Sequence, residues 1–84
     1  MSGDRIRIVL GPEWDDKLRT RLGDVLRGLA AVQTSSSWSP GGGGELETVE
    51  FSLGDQVLEV ESETYIGLSI AGPRELVEKI KALM

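Results

Sequence analysis

Carboxylates are the most concentrated side chains in this sequence that could do chemistry together. Seven of them lie between residues 45 and 63, a stretch without any basic residue: Glu45, Glu47, Glu50, Asp55, Glu59, Glu61 and Glu63. The chain has no histidine and no cysteine, so imidazole catalysis, thiolate catalysis and thiolate metal sites are excluded. Carboxylate pairs, Ser–Lys pairs and tyrosine remain as catalytic options.

The spacing of the remaining groups gives these options little support. Asp15 and Asp16 are adjacent on a predicted helix and therefore face different directions. Three lysines, Lys17, Lys79 and Lys81, fall on surface positions of predicted helices, which argues against a buried, activated amine. Surface carboxylates that nothing constrains seldom form a tight oxygen cage for a divalent metal. We therefore expect no enzymatic activity, no metal and no cofactor.

The acidic stretch supplies all of the chain's net charge of −5. Residues 1–33 carry six basic and five acidic groups, and residues 74–84 carry three basic and two acidic groups. A negative field of this kind repels nucleic-acid phosphates and attracts basic surfaces. The sequence therefore favours a basic protein partner over nucleic acid.

The length and hydropathy of the chain indicate one small domain, which we assign to residues 1–84. The apolar runs are too short to span a membrane, and the first residues lack the apolar core of a signal peptide. We therefore expect a cytoplasmic protein that is not associated with membranes.

The first third of the chain predicts a strand followed by a helix. Residues 5–10 begin with alternation and end apolar, which is typical of a strand with one buried face. Gly11-Pro12 ends this strand, and Pro12 suits the first position of a helix. Apolar residues then recur at helical spacing: Trp14, Leu18, Leu22, Val25, Leu26 and Leu29.

Residues 34–44 are rich in serine and glycine, which predicts a flexible loop. The four glycines do not form a phosphate-binding loop, because no Lys-Ser or Lys-Thr follows them. Trp38 is the exception within this segment. It either folds back onto the edge of the domain or remains exposed as an anchor for a partner.

The acidic stretch itself predicts a β-hairpin with a defined register. Gly54-Asp55 suits a two-residue type II′ turn, which needs glycine first. Pairing across this turn places Phe51 and Val49 opposite Leu58 and Val60 on one face. The other face then holds Glu50 opposite Glu59, and Thr48 opposite Glu61.

A further strand, residues 65–70, is expected to place Ile66 and Leu68 beside Val60 and Leu58. That register puts Tyr65 beside Glu61, at the centre of the acidic residues. Gly72-Pro73 then opens a second helix, whose apolar positions are Leu76, Val77, Ile80, Leu83 and Met84.

These elements predict an α+β fold of β-α-β-β-β-α order. It is a two-layer open sandwich, with two helices packed on one face of a mixed four-stranded sheet. A right-handed crossover makes the first strand parallel to the second and fourth. We expect the first strand to lie beside the fourth, which would bring both Gly-Pro helix starts to the same end of the sheet.

The leading functional hypothesis is a non-enzymatic interaction module. It would offer an acidic face, defined as Glu50, Glu59 and Glu61 around Tyr65, to a basic protein partner; an inhibitor or an immunity protein would be one instance. Like charges that face each other destabilise a sheet, and two structural explanations of their presence stand beside this function. Charged side chains on exposed strands discourage edge-to-edge aggregation, and the glutamates can pair with Arg5 or Arg7. The alternative function is binding of an anion or small molecule at the two helix starts. Self-association through a free sheet edge remains open.

Overall fold

The computed structural model describes residues 4–41, 44–64 and 66–84. These residues form the strands β1 (Arg5–Gly11), β2 (Val32–Gly41), β3 (Gly44–Leu53), β4 (Gln56–Glu63) and β5 (Gly67–Pro73), and the helices α1 (Asp16–Gly28) and α2 (Arg74–Leu83). The strands make one sheet in the order β1-β5-β4-β3-β2, and every neighbouring pair is antiparallel. The expected four-stranded mixed sheet is therefore wrong.

The additional strand is β2, which occupies most of the segment expected to be a flexible loop. It pairs with β3 from Val32 opposite Ser52 to Gly41 opposite Gly44. An edge strand needs no apolar side chains for this pairing, because the backbone supplies the hydrogen bonds. Serines are accordingly tolerated, and Thr34 donates a side-chain hydrogen bond to the carbonyl of Glu50.

The overlooked strand also explains why the direction of β1 differs from the expected one. β1 does lie beside the last strand, but the two run antiparallel, with Arg5 opposite Pro73 and Ile8 opposite Ile70. Along the sheet, β1 is parallel to β2 and β4. Inserting one more strand between α1 and the hairpin reverses every later strand relative to β1.

The hairpin of β3 and β4 has the register that the sequence predicts. Phe51 lies opposite Leu58, Glu50 opposite Glu59, and Thr48 opposite Glu61. Gly54 has a φ of 66° at the turn, and the hydroxyl of Ser52 donates to its carbonyl oxygen at 3.2 Å. The positive φ is one that glycine adopts without strain.

The register expected between β4 and β5 is wrong. Ile70, and not Ile66, lies opposite Val60, while Ser69 lies opposite Glu61. β4 continues to Glu63, and β5 begins at Gly67, whose φ is 114°. A Cβ at Gly67 would lie 2.4 Å from the carbonyl oxygen of Gly11. Glycine accommodates both this backbone conformation and this close approach, which explains why β5 begins at Gly67.

Both helices pack on one face of the sheet and close a single core. The buried side chains come from both helices and the two central strands: Leu22, Leu26, Leu58, Leu68, Ile70, Leu76, Val77 and Ile80. Helix α1 begins at Asp16 and not at Pro12, because Asp15 accepts hydrogen bonds from the amides of Lys17 and Leu18 as N-cap. In the described ranges, neither helix has the length and apolar character that crossing a membrane requires.

Candidate interaction surface

In the described residues both helices lie on one face of the sheet, and Glu50, Glu59 and Glu61 of the hairpin lie on the other. Side chains alternate along a strand, so the inward direction of Leu58 and Val60 turns Glu59 and Glu61 outward. Glu50 stands directly opposite Glu59. The structure therefore brings together the three predicted carboxylates, Glu50, Glu59 and Glu61, on one open surface.

Glu63 belongs to the same surface, although the sequence reasoning did not include it. It follows Glu59 and Glu61 at two-residue spacing and remains within β4. The expected register, in which the next strand begins at residue 65, left Glu63 in the connection between the two strands. The signal that could have located it is Gly67, since a glycine with positive φ is common after a short hairpin loop.

Arg7 of β1 is a cationic component of this surface. Its guanidinium lies 2.8 Å from a carboxylate oxygen of Glu61 and 3.5 Å from one of Glu59. The side chain crosses β5 to reach them and donates a hydrogen bond of 3.2 Å to the hydroxyl of Ser69. Pairing of the glutamates with β1, which we considered as an explanation of their clustering, therefore occurs through Arg7.

Ser69 takes the place in the register that was expected for Tyr65. It is only 3% exposed, even though the face has no helix layer, because the Arg7 side chain reaches across it. Tyr65 lies outside the described residues, so its expected role as an anchor stays a prediction from sequence. In the described structure, the residue opposite Glu61 is small and already holds a hydrogen bond.

Among the three predicted carboxylates, Glu50 is the one that Arg7 does not reach. Its contact is a hydrogen bond of 3.3 Å from the hydroxyl of Ser35 on β2, and the described residues contain no ion pair to it. One guanidinium against three carboxylates leaves a net charge of −2 on the group formed by Arg7, Glu50, Glu59 and Glu61. The surface is thus still negative after its internal ion pairs are counted.

Trp38 is exposed, but it lies on the opposite side of the sheet from the acidic face. It is paired with Glu47 on β3, and Glu47 contacts Arg19 of helix α1 at 3.5 Å. Trp38 is 59% exposed, so it does not fold into the core. Trp38 and the acidic face cannot contact one flat partner surface together.

The two helix starts do not converge, which removes the geometric basis of the alternative function. β1 leads into α1 and β5 leads into α2, and these two strands are antiparallel. The helix N-termini therefore lie at opposite ends of the sheet. At the start of α1, the carboxylate of Asp15 already accepts from two amides, and Asp16 adds a second negative charge.

The helix side also carries an apolar groove between α1 and β3, with a volume of about 190 Å³. Leu22 and Leu26 form its helix wall, while Val49 and Phe51 form its sheet wall. The groove exists because two helices do not cover a sheet of five strands. Among residues 4–41, 44–64 and 66–84, no cluster of carboxylates has the arrangement needed to hold a metal ion.

Comparison with known proteins does not assign this surface to a family. No protein-family model matches the chain, and no curated protein and no solved structure matches it.

Proposed function

We propose that this protein is an interaction module whose acidic face binds a basic segment of a protein partner. The observation that carries the proposal is the direct opposition of Glu50 and Glu59 on an open sheet face. Like charges in this position destabilise a sheet. A cation from a partner, placed between the two carboxylates, would be attracted to both of them and would relieve their repulsion.

The position of Arg7 supports a specific site within this face. Arg7 already pairs with Glu59 and Glu61, whereas Glu50 has no cationic partner among the described residues and accepts a hydrogen bond from the neutral hydroxyl of Ser35. A basic side chain of the partner would therefore sit between Glu50 and Glu59. In this arrangement Arg7 holds the β4 carboxylates in place and leaves Glu50 available.

The proposal can be tested with a synthetic peptide rich in lysine and arginine, titrated calorimetrically into the protein at low and high salt. The double variant Glu50→Gln/Glu59→Gln should weaken binding by about tenfold, which is about 1.4 kcal/mol. The wild-type affinity should fall as salt rises, because salt screens exposed charges.

A matched control distinguishes binding at this site from attraction of the peptide to the net charge of the protein. The variant Glu75→Gln/Glu78→Gln removes the same two charges from exposed positions of α2, on the helix side, and should leave the affinity nearly unchanged. Equal losses in the two double variants would mean that the peptide senses only net charge. Binding that does not change with salt would also contradict the proposal.

A further inference from the structure

Strand β2 is an edge strand with an accessible outer side. It pairs with β3 along one side and ends the sheet on the other. All residues from Val32 to Pro40 are exposed, and the strand extends for roughly 34 Å at the usual rise per residue. Its outer side therefore presents a row of backbone amide and carbonyl groups to which another strand can add.

The two edges of this sheet differ in how they resist such addition. β1 has seven residues, carries Arg5 and Arg7, and has a register shift between Val9 and Gly11. Charges and bulges of this kind hinder pairing with another strand. β2 has ten residues and no charged side chain. Its irregularities, the shift between Gln33 and Ser35 and the proline at position 40, lie towards its two ends.

We propose that β2 pairs antiparallel with β2 of a second copy of this chain, about a two-fold axis near Ser37. Two such sheets would join into one continuous sheet of ten strands. The surface involved is not the acidic face, so this inference does not depend on the proposed function.

A second copy fits this edge better than a basic partner does. A two-fold interface requires a surface that complements itself, and a neutral strand meets its own copy without opposing like charges. A basic segment, by contrast, gains no charge attraction from an uncharged strand and is drawn to Glu50 and Glu59 instead.

The position of Trp38 adds an apolar contribution to this pairing. Ser36 lies opposite Val49, and Trp38 lies on the same side of the sheet as Val49, two residues further along β2. With the axis at Ser37, Trp38 of the second copy stands beside Ser36. Its indole then extends towards the groove that Val49 and Phe51 line. Trp38, which is 59% exposed in the single chain, would become more buried, which favours association.

Salt should affect this association in the direction opposite to the peptide binding proposed above. Each copy carries a net charge of −5, so the two copies repel each other at long range. Added salt screens this repulsion and should strengthen the dimer, whereas it should weaken the binding of a basic peptide. Failure of either proposal can therefore be recognised separately from failure of the other.

Sedimentation velocity over a concentration series tests the pairing. The mass of the wild-type protein should rise from 9.1 kDa towards twice that value, and the dimer should form at lower concentration in high salt. Ser37→Lys and Ser37→Glu should each raise the dissociation constant by about tenfold or more, because like charges then meet at the axis. An equimolar mixture of the two variants should recover the dimer.

Two controls make the result decisive. Val9→Lys introduces the same charge on the opposite edge, at a residue that is 54% exposed, and should leave the dimer intact. Circular dichroism should show that each variant keeps the secondary structure of the wild type. A wild-type protein that stays monomeric at all concentrations would overturn the proposal. So would a dimer that Val9→Lys disrupts and Ser37→Lys does not.

Cysteine cross-linking gives a second readout that does not depend on affinity. The natural chain contains no cysteine, so a single introduced thiol reports on one position. Opposed Cβ atoms in an antiparallel pair are about 4.5–5.5 Å apart, which is close to what a disulfide needs. Under mild oxidation Ser37→Cys should form a covalent dimer much faster than Val9→Cys, and equal rates would contradict the proposed axis.

Discussion

The guanidinium of Arg7 lies 2.8 Å from a carboxylate oxygen of Glu61, although strand β5 separates the two residues. The side chain can cross β5 because the residues that it passes are small: Ala71 lies opposite both Arg7 and Glu59, and Ser69, opposite Glu61, accepts a hydrogen bond from the guanidinium. This contact connects the first strand of the chain to the acidic hairpin. Substitution of Arg7 should therefore change both the stability of the fold and the availability of the carboxylates on the acidic face.

Replacing Arg7 with glutamine should lower the free energy of unfolding by up to about 1 kcal/mol. Partly exposed ion pairs contribute about 0–1 kcal/mol, and the Arg7 side chain is 44% exposed. Denaturation by urea measures the change. Arg19→Gln is the control, because its pair with Glu47 is longer, at 3.5 Å, and both partners are more than 40% exposed. A larger loss for Arg19→Gln would mean that the Arg7 contact is unimportant for stability.

The same substitution should strengthen binding of the basic peptide, although it weakens the fold. Arg7 competes with any incoming cation for Glu59 and Glu61, and its removal leaves both carboxylates available. We expect a several-fold higher affinity by calorimetry. Arg5→Gln changes the net charge equally, but Arg5 lies opposite Pro73 at the end of β1 and should have a smaller effect. An unchanged affinity for Arg7→Gln would place the peptide elsewhere.

Charge reversal at Glu50 and charge reversal at Glu59 should change the stability of the fold in opposite directions. Glu50→Lys places a cation directly across from Glu59 and should stabilise the fold by about 0.5 kcal/mol, the usual range for opposite charges in a cross-strand pair. Glu59→Lys also faces a carboxylate, that of Glu50, but it removes an ion pair to Arg7 and places a second cation beside it. We expect this loss to exceed the gain, so the variant should destabilise the fold. Thermal denaturation of the two variants provides the comparison. Destabilisation by both would indicate that Glu50 has a structural role.

Gly67 is expected to tolerate no side chain. Gly67→Ala combines a φ of 114° with a Cβ at 2.4 Å from the carbonyl oxygen of Gly11, and should cost about 2 kcal/mol or more. Gly23→Ala is the matched control in helix α1, where a Cβ would meet no atom within 4 Å, and should stabilise the fold by up to about 1 kcal/mol. Chemical denaturation measures both values, and a neutral Gly67→Ala would contradict this account of the β4–β5 connection.

The β3–β4 hairpin could be predicted from the sequence because each of its signals is local. Alternation defines the two faces, and Gly54 determines the turn and with it the register. The opposition of Glu50 and Glu59 follows from those two facts alone. The ion pair to Arg7 required knowledge of which strand lies beside β5, and the sequence offered Arg5 and Arg7 without distinguishing them.

Strand β2 could not be predicted because its sequence, which is mostly serine between Val32 and Trp38, has no alternating apolar pattern. Its pairing depends on the free backbone edge of β3, which is a property of the assembled sheet and not of residues 32–41. The predicted direction of β1 and the predicted convergence of the two helix starts were wrong for the same reason. The start of β5 was missed because the sequence pattern did not show that Gly67 approaches the backbone of Gly11.

In the part of the chain that the structure describes, strand β2 contributes no side chain to the hydrophobic core or to the apolar residues packed around it. Its attachment to the domain is the backbone ladder to β3, together with contacts such as the hydrogen bond from Ser35 to Glu50. Segments with few buried contacts open at a lower free energy than the global unfolding reaction. We therefore expect the β2 amides to exchange with deuterium earlier than those of β4 and β5 in dilute protein, and more slowly at concentrations where a second copy covers the edge. Such a result would make the cooperative folding unit of this protein smaller than its sheet, with an outermost strand that detaches while the core remains folded.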